Sequence, residues 1–264
     1  MILQGKLYSQ TLDMETGAVF VAADDCGAVP PRKVAYLLHG LQGRYDDFLH
    51  YTVLPDLCRS YHCLFVLPDA QRSFYTDMAC GNDYFTYLTR ELPRLVSDLF
   101  RVSSAPEDTV ILGASMGGFG ALKAALTFPE RYAACAAFSP CCLDLADYLR
   151  PAWRSGEEGD AFRRIFGDKL AADFLAAFGP DSSRLPENDL LSLAGAAAGA
   201  SARPRIFTCW GSVDIFRDTN RRFPQQMAAL GWPVESRELP GHMHNWVFFN
   251  EALKLALPFC LGEA

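Results

Sequence analysis

The feature that most constrains this chain is a short segment at residues 113–117, which reads Gly-Ala-Ser-Met-Gly. A β-branched, apolar run at residues 109–112 precedes it, and residues 119–128 follow with a helix-forming sequence. This order predicts a strand, a sharp turn with Ser115 at its apex, and a helix. Such a tight turn requires small residues two positions before and two positions after the serine, and the two flanking glycines meet this requirement.

A serine at this kind of turn is suited to act as a nucleophile. A serine hydroxyl reacts weakly by itself, so it has to project from the sheet toward a base. The helix that begins after Ser115 aims free backbone N–H groups at the turn, which predicts the N–H of Met116 as a donor to an oxyanion. A strand–helix crossing that needs glycine only for packing would leave the same pattern. The catalytic interpretation therefore requires an acid and then a histidine further along the chain.

An acidic residue stands where this arrangement requires one. Residues 205–210 predict a late strand, and Gly-Ser-Val-Asp follows directly, so that Asp214 lies on the loop after that strand. A carboxylate at this place would orient an imidazole and stabilise its charged form. An aspartate in a Gly-x-x-Asp turn is often only a turn residue. Asp218 is the nearest competitor for the role.

The base is expected in residues 240–246, Pro-Gly-His-Met-His-Asn-Trp, which contain His242 and His244. Residues two apart in an extended segment point the same way, so side-chain direction does not separate the two. His242 lies where the chain is still leaving a predicted strand, whereas His244 directly precedes the last predicted helix. That helix would pack on the sheet and fix the position of His244. We therefore predict His244 as the base and His242 as a residue of the loop or cleft wall.

A second strand end contributes to the same edge of the sheet. The continuous apolar run at residues 34–38 predicts a strand buried on both faces, and His-Gly-Leu follows it. Loops at the carboxyl ends of such strands hold ligand sites in α/β proteins, so the N–H of Leu41 is predicted as the second oxyanion donor. Gly40 allows the backbone to approach closely. His39 is expected to shape this loop by hydrogen bonding, with the role of base as its alternative.

The polar and aromatic loop at residues 71–77 is predicted to lie at the same edge of the sheet. Its aromatic residues are as compatible with packing on the next helix as with lining a substrate cleft. The candidate substrate contacts are His39, Gly40, Phe74, Tyr75 and Trp246.

The remaining chain alternates predicted strands and helices, which is typical of a parallel sheet with crossover helices. Residues 141–203 break this rhythm with helical patterns and no strand pattern, so we expect a helical cap over the active-site end. We therefore predict one α/β domain over residues 1–264, with a mostly parallel central sheet and helices on both faces. The other predicted elements are strands at 18–22, 62–67, 132–138 and 234–239 and helices at 45–60, 84–100 and 220–231. Candidates for the apolar underside of the cap, or for packing within its helix, are Trp153, Phe162, Ile165 and Phe166.

Length and composition exclude several classes of protein. The 264 residues, 50% of them hydrophobic, suffice for one large core. The formal charge of −7 and the absence of a basic block argue against a nucleic-acid surface, and no apolar stretch reaches the length of a membrane span. The first residues lack a signal-peptide pattern, and the 9 cysteines have neither a disulfide framework nor zinc-site spacing. We expect a cytoplasmic protein with reduced thiols and no metal.

The ordered motifs together resemble the esterase D-like branch of the α/β-hydrolases, and most closely the bacterial tributyrin esterases. That branch also includes S-formylglutathione hydrolases, feruloyl esterases and mycolyltransferases. The likeness covers nearly the whole chain. The segments that carry it are residues 8–15, 36–40, 113–118, 165–167, 188–190 and the His-Asn-Trp at 244–246.

The resemblance implies an α/β-hydrolase fold and a cytoplasmic carboxylesterase that uses no metal or organic cofactor. Ser115, His244 and Asp214 would form its catalytic triad, and a small-molecule ester with a short acyl chain would be its substrate. Feruloyl or acetyl-sugar esters, S-formylglutathione, and acyl transfer to a sugar or alcohol are the alternatives. The Ser-Gly-Leu-Thr-Cys oxyanion loop of the thioesterases is replaced here by His-Gly-Leu-Gln-Gly, which disfavours the thioester. The complete ordered set also disfavours a non-catalytic binding module.

Overall fold

The computed structural model of the protein describes residues 1–24, 31–147, 149 and 156–262, without the side chains of residues 157–159, 161, 162, 165 and 166. Of the residues predicted for the underside of the cap, Trp153 and the side chains of Phe162, Ile165 and Phe166 lie outside this description.

The described residues include eight strands that form one sheet. The strands are β1 (Ile2–Ser9), β2 (Met14–Val21), β3 (Lys33–Leu38), β4 (Cys63–Pro68), β5 (Thr109–Ala114), β6 (Ala134–Phe138), β7 (Arg205–Gly211) and β8 (Val234–Leu239). Their order across the sheet is β1-β2-β4-β3-β5-β6-β7-β8. Strand β2 runs antiparallel to both of its neighbours, and the pairs from β4 to β8 are all parallel. The predicted mostly parallel sheet is confirmed, and the carboxyl ends of its parallel strands share one edge.

Helices cover both faces of the sheet. They include α1 (Asp47–Tyr51), α2 (Leu54–Leu57), α3 (Tyr84–Thr86), a π-helical segment (Tyr87–Glu91), α4 (Leu92–Phe100), α5 (Met116–Thr127), α6 (Glu157–Phe178, interrupted at Gly167), α7 (Leu190–Ala196), α8 (Arg217–Ala229) and α9 (Trp246–Leu261). Short 3₁₀ turns lie at Pro106–Asp108, Pro129–Arg131 and Ser182–Arg184. Within the described residues, no helix combines the length and the apolarity that a bilayer span requires.

Successive residues of the central strands point to opposite faces of the sheet, and both faces are buried. In β3, Tyr36 belongs to the apolar layer that contains Phe119 of α5, whereas Leu37 belongs to the layer that contains Phe248 of α9. A strand covered on both sides needs apolar side chains at every position. This confirms the prediction made from the continuous apolar run at residues 34–38.

The single helix predicted over residues 45–60 is wrong. Two short helices, α1 and α2, occupy this segment, because Thr52 between them has extended backbone angles (φ −131°, ψ 170°). Pro55, which has no N–H to donate within a helix, lies in the first turn of α2. That proline is the signal in the sequence that could have located the break.

Strand β1 was not predicted. It lies at the edge of the sheet and pairs with β2 alone, and most of its residues are exposed. An exposed edge strand is under no requirement for an apolar run, so its sequence, with Gly5 and Lys6 at the centre, carries little hydrophobic pattern.

The segment at residues 141–203 contains α6 and α7 and, among its described residues, no strand, as predicted. Several polar contacts connect it to the rest of the molecule, and two of them join side chains near the centre of the fold. Arg72 forms an ion pair with Asp173 of α6, and its Nε lies 2.9 Å from Oδ2 of that carboxylate. The buried Nζ of Lys123, on α5, lies 2.7 Å from Oδ1 of Asn188, two positions before the start of α7.

Candidate active site

Ser115 occupies the turn between β5 and α5 in a left-handed backbone conformation, with φ 55° and ψ −115°. Such angles are strained for a residue that has a Cβ atom. The turn is held by the N–H of Ser115, which donates to the carbonyl of Phe138 at 2.9 Å. A Cβ atom on Gly113 would lie 2.2 Å from the carbonyl oxygen of Gly117, and one on Gly117 would lie 2.1 Å from that of Leu38. The predicted need for glycine at both positions is therefore confirmed.

Three predicted side chains from separate loops meet at this turn. The Nε2 atom of His244 lies 3.0 Å from the Oγ atom of Ser115, and its Nδ1 atom lies 3.0 Å from Oδ2 of Asp214. A carboxylate only accepts hydrogen bonds, so we assign the ring proton to Nδ1 and leave Nε2 as an acceptor for the hydroxyl. In this arrangement the imidazole can take a proton from Ser115 while Asp214 holds the ring in place.

The Asp214 carboxylate is fully enclosed and has a complete set of donors. Its Oδ1 accepts the N–H of Phe216 at 2.8 Å, and its Oδ2 accepts the hydroxyl of Ser139 at 2.7 Å as well as the imidazole. Burial by itself would raise the pKa of Asp214. The hydrogen bond and positive charge of His244, together with the two other donors, outweigh burial and hold the pKa below its usual value. The group is therefore ionised when it faces the imidazole.

Ser139 was missed by sequence reasoning. It follows β6 immediately, is fully buried, and its Oγ also lies 3.2 Å from Nδ1 of His244. Its only signal was its place at the carboxyl end of a predicted strand, beside the strand that carries the nucleophile. Many strand ends carry a serine, so that signal does not distinguish it.

His244 sits between two aromatic rings, those of Phe216 and Phe249, with centroids 5.2 Å and 5.1 Å away and edge-on geometry. The next residue, Asn245, caps α9, since its side chain accepts the N–H of Phe248 at 3.1 Å. The helix therefore begins directly after the histidine, as predicted, and fixes where the imidazole stands.

The two competing residues lie apart from this cluster. His242 does not line the pocket, and its ring packs against Phe248 at a centroid distance of 6.2 Å. The side chain of Asp218 is exposed and lies within ion-pair distance of Arg217 and Arg221. The structure thus brings His244 and Asp214, and not their competitors, to the serine.

His39 lies beneath the pocket and is 1% exposed. Its Nδ1 lies 2.8 Å from the carbonyl oxygen of Gly40, and its Nε2 accepts the N–H of Ala70 at 3.0 Å. The ring therefore connects the loop after β3 to the loop after β4. This matches the expected loop-shaping role. The prediction of His39 as a substrate contact is wrong, because its side chain is buried and does not line the pocket.

Tyr75 is likewise wrong as a substrate contact. It is fully buried, its hydroxyl donates to the carbonyl of His39 at 3.2 Å, and its ring packs so closely on Gly120 that a Cβ atom there would lie 2.6 Å away. Tyr75 therefore supports the loop after β3, and its neighbour Phe74 lines the pocket instead.

The pocket above Ser115 has a volume of about 560 Å³. It lies between the loop at residues 40–43, Phe74 and the cap helix α6, and Ser115 and His244 form part of its wall. Of the candidate substrate contacts, Gly40, Phe74 and Trp246 line it. Leu41 also lines it, and Leu170, Phe174, Cys141 and Cys142 add to a mostly apolar surface. A cavity of this size holds a small ester with both its acyl and its alcohol parts.

The two expected oxyanion donors, the N–H groups of Met116 and Leu41, belong to segments next to the serine. Met116 is the first residue of α5, so its N–H has no acceptor within the helix. Leu41 follows Gly40, where an added Cβ atom would lie 3.5 Å from the Cβ atom of Ser115. Within the described residues, no cluster of three or more His, Cys, Asp or Glu side chains is arranged to hold a metal ion.

The sequence model of the family described as "Putative esterase" matches residues 29–260. The chain belongs to this esterase family. Three comparisons show how far the likeness extends within it.

This esterase is 28% identical to the acetyl esterase of Caldicellulosiruptor saccharolyticus over 222 residues, which are 83% of this chain and 79% of that protein. It is 30% identical to the S-formylglutathione hydrolase of Mus musculus over 168 residues, which are 62% of this chain but only 51% of that protein. A solved structure of FphF, a fluorophosphonate-binding serine hydrolase of Staphylococcus aureus, superposes with a TM-score of 0.83 at 22% identity, covering 99% of this chain and 98% of that one. At this identity the superposition shows the α/β-hydrolase fold alone. Family and fold together identify an ester hydrolase.

Proposed function

We propose that this esterase cleaves short-chain carboxylic esters through an acyl-enzyme intermediate on Ser115, with His244 as general base and acid and Asp214 as its orienting partner. The observation that carries the proposal is the position of His244. Its two ring nitrogens lie 3.0 Å from a serine hydroxyl on one side and 3.0 Å from a buried, ionised carboxylate on the other.

The proposed reaction has two halves. Ser115 Oγ attacks the ester carbonyl as Nε2 of His244 takes its proton, and the tetrahedral intermediate collapses when the same proton passes to the leaving alcohol. Water then attacks the acyl-serine with His244 as base, which releases the acid and restores the hydroxyl. Asp214 stabilises the imidazolium in both halves without taking the proton itself.

The negative charge that develops on the carbonyl oxygen is assigned to two backbone N–H groups. The N–H of Met116 points from the first turn of α5, and the N–H of Leu41 comes from the loop supported by His39 and Tyr75. Donors held by a rigid scaffold need no reorganisation during the reaction, which is the main source of their effect. Two buried side chains beneath this loop, with no access to substrate, are consistent with that requirement.

The preference for short acyl chains rests on the likeness to the acetyl esterase and on the shape of the pocket. Phe74 and Phe174 both line the pocket, and their stacked rings, with centroids 4.9 Å apart, form an aromatic wall on one side of it. The pocket volume of about 560 Å³ must accommodate the alcohol part as well as the acyl part. We propose that this aromatic wall limits the length of the acyl chain.

The proposal is tested with p-nitrophenyl esters from acetate to decanoate, assayed beside methyl ferulate and S-formylglutathione. We expect kcat/KM to be highest for acetate or butyrate. Ser115→Ala should lower kcat by about 10⁴-fold or more in a folded protein, because the members of a triad act as a unit. A fluorophosphonate probe should label the wild type and leave Ser115→Ala unlabelled.

Two results would contradict the proposal. Retention of a tenth of the activity in folded Ser115→Ala would show that another group is the nucleophile. A decanoate ester turned over with a higher kcat/KM than butyrate would show that the aromatic wall does not limit the acyl chain. Faster turnover of methyl ferulate or S-formylglutathione would replace the substrate class and leave the nucleophile unchanged.

A further inference from the structure

We propose that Ser139 is a positioning residue for the reaction: its hydroxyl holds the Asp214 carboxylate in the orientation that aims His244 at the nucleophile. This inference rests on the proposed function. It assigns a second serine to the site, one that contacts neither the substrate nor the reacting atoms and acts only through the acid.

The geometry determines which way the hydrogen bond runs. Ser139 Oγ lies 2.7 Å from Oδ2 of Asp214, and an ionised carboxylate can only accept, so the serine proton points at the acid. The same Oγ lies 3.2 Å from Nδ1 of His244, where its lone pair faces the Nδ1 proton that is shared with Asp214. The hydroxyl, the carboxylate oxygen and the ring nitrogen thus form a closed triangle of contacts.

This triangle leaves the carboxylate little freedom to rotate. Oδ1 is held by the N–H of Phe216 at 2.8 Å, and Oδ2 is held by Ser139 as well as by the imidazole. Without the hydroxyl, Oδ2 would keep only His244, the group that it has to orient. Because Asp214 is fully enclosed, water cannot easily replace the missing donor.

The backbone at Ser139 is also unusual. Its φ of 43° lies in the left-handed region, and Pro140 follows it, which further restricts its conformation. The conformation is maintained by its N–H, which donates to the carbonyl of Cys209 on β7 at 2.7 Å. Glycine would adopt this backbone more easily, so the presence of a serine at a strained position indicates a use for the hydroxyl.

That strain provides a way to separate two roles. If the position matters only for the backbone, Ser139→Gly should be as active as the wild type. If the hydroxyl matters, Ser139→Gly and Ser139→Ala should lose activity to a similar extent. We expect kcat for p-nitrophenyl butyrate to fall by about 10- to 100-fold in both variants, the loss typical of one hydrogen bond to a charged group. KM should stay within about twofold, since the hydroxyl does not touch substrate.

A double-mutant cycle tests whether Ser139 acts through the acid. In an Asp214→Ala background, Ser139→Ala should change kcat by less than about twofold, because its partner is already absent. An equally large loss in both backgrounds would refute the proposal, since it would show an independent effect on the fold or on the pocket.

The matched control is Ser9→Ala. Ser9 is also fully buried and donates to a carboxylate, Glu91 Oε2, at 2.6 Å, but it lies at the end of β1 and does not line the pocket. Ser9→Ala should lower the stability of the protein and leave kcat per folded molecule unchanged. Folded fractions are measured by circular dichroism. If Ser139→Ala does not fold, Ser139→Gly is used, and then Ser139→Cys, which keeps the shape with a weaker donor.

Failure of this inference is distinguishable from failure of the proposed function. If the wild type hydrolyses esters and Ser115→Ala is inactive while every folded Ser139 variant keeps wild-type kcat, the proposed function stands and the positioning role is refuted. If Ser115→Ala keeps its activity, the proposed function fails first, and the role of Ser139 in it fails as a consequence.

Discussion

Lys123 is the buried cation whose removal should stabilise this protein in a pH-dependent way. It lies on α5 beneath the cap and is 3% exposed. Its Nζ contacts Oδ1 of Asn188 at 2.7 Å and lies 4.1 Å from the centre of the Phe85 ring. A single amide oxygen and a ring face replace little of the water that surrounds a free ammonium group.

Burial therefore lowers the pKa of Lys123 from 10.5 to about 7. The negative charges of Asp77 and Glu187 act in the opposite direction, and Arg184 acts with burial, but burial is the largest cause. Near neutral pH the amine is thus partly neutral in the folded protein and fully charged in the unfolded chain.

The sign of the effect on stability follows from proton binding. Between about pH 7 and pH 10.5 the unfolded chain carries a proton at Lys123 that the folded protein does not, so this lysine makes stability rise with pH in that window. Below about pH 7 the lysine is protonated in both states, and the cost of burying its charge is present in full. The two pKa values correspond to a cost of roughly 4 kcal/mol near pH 7 and roughly 2 kcal/mol near pH 9.

Lys123→Met keeps an unbranched side chain that is only one heavy atom shorter, and it removes this cost. It also leaves Oδ1 of Asn188 without its donor, which costs about 1–3 kcal/mol. We therefore expect the variant to be more stable than the wild type by about 1–3 kcal/mol near pH 7. That advantage should shrink by about 2 kcal/mol near pH 9, because there the wild type is no longer penalised.

The measurement is urea unfolding of both proteins at the two pH values, followed by circular dichroism. Only the difference between wild type and variant is used, since buried cysteines and tyrosines titrate in both proteins alike. Lys254→Met is the control, because Lys254 on α9 is exposed and its substitution removes no buried charge. The stability difference between this variant and the wild type should be the same at both pH values. A stability difference for Lys123→Met that is the same at both pH values would show that this lysine stays charged in the folded protein and would refute the reasoning.

Two further predictions concern the site. His244→Ala should lower kcat by about 10⁴-fold, whereas His242→Ala, which changes a residue outside the pocket, should keep near-wild-type kcat. The two variants are assayed in parallel with p-nitrophenyl butyrate. The opposite result would show that His242 is the base. Gly117→Ala should destabilise the protein by at least about 1–3 kcal/mol in thermal melts, because its Cβ atom would lie 2.1 Å from the carbonyl oxygen of Leu38. Gly5→Ala, whose Cβ atom would meet nothing within 4 Å, is its control, and equal effects of the two would contradict the packing argument.

The parts of the site that depend on local backbone geometry and on burial can be predicted from the sequence. Strands covered on both faces need uninterrupted apolar runs, so the run at residues 34–38 could be recognised without the fold. The glycines around Ser115 could be recognised because the backbone at that turn leaves no room for a Cβ atom. The order of serine, acid and histidine along the chain is that of the α/β-hydrolases, which the sequence resembles.

Which of two neighbouring side chains lines the pocket cannot be predicted from the sequence, because it depends on the folded loops around the site. Phe74 and Tyr75 are adjacent, and both have positive φ angles, 52° and 51°, so the alternation of an extended strand does not apply to them. One lines the pocket and the other supports the loop beneath it. Like Tyr75, His39 is buried outside the pocket and holds the loop after β3 through a hydrogen bond.

Ser139 belongs to the same group. Its contact with Asp214 joins residues 75 positions apart, and it depends on the left-handed turn after β6 and on how closely β6 packs beside β7. A hydrophobic pattern records which residues are buried, because burial imposes a chemical requirement at each position. The pattern does not record which buried polar groups contact each other, because those contacts depend on distances set by the whole sheet.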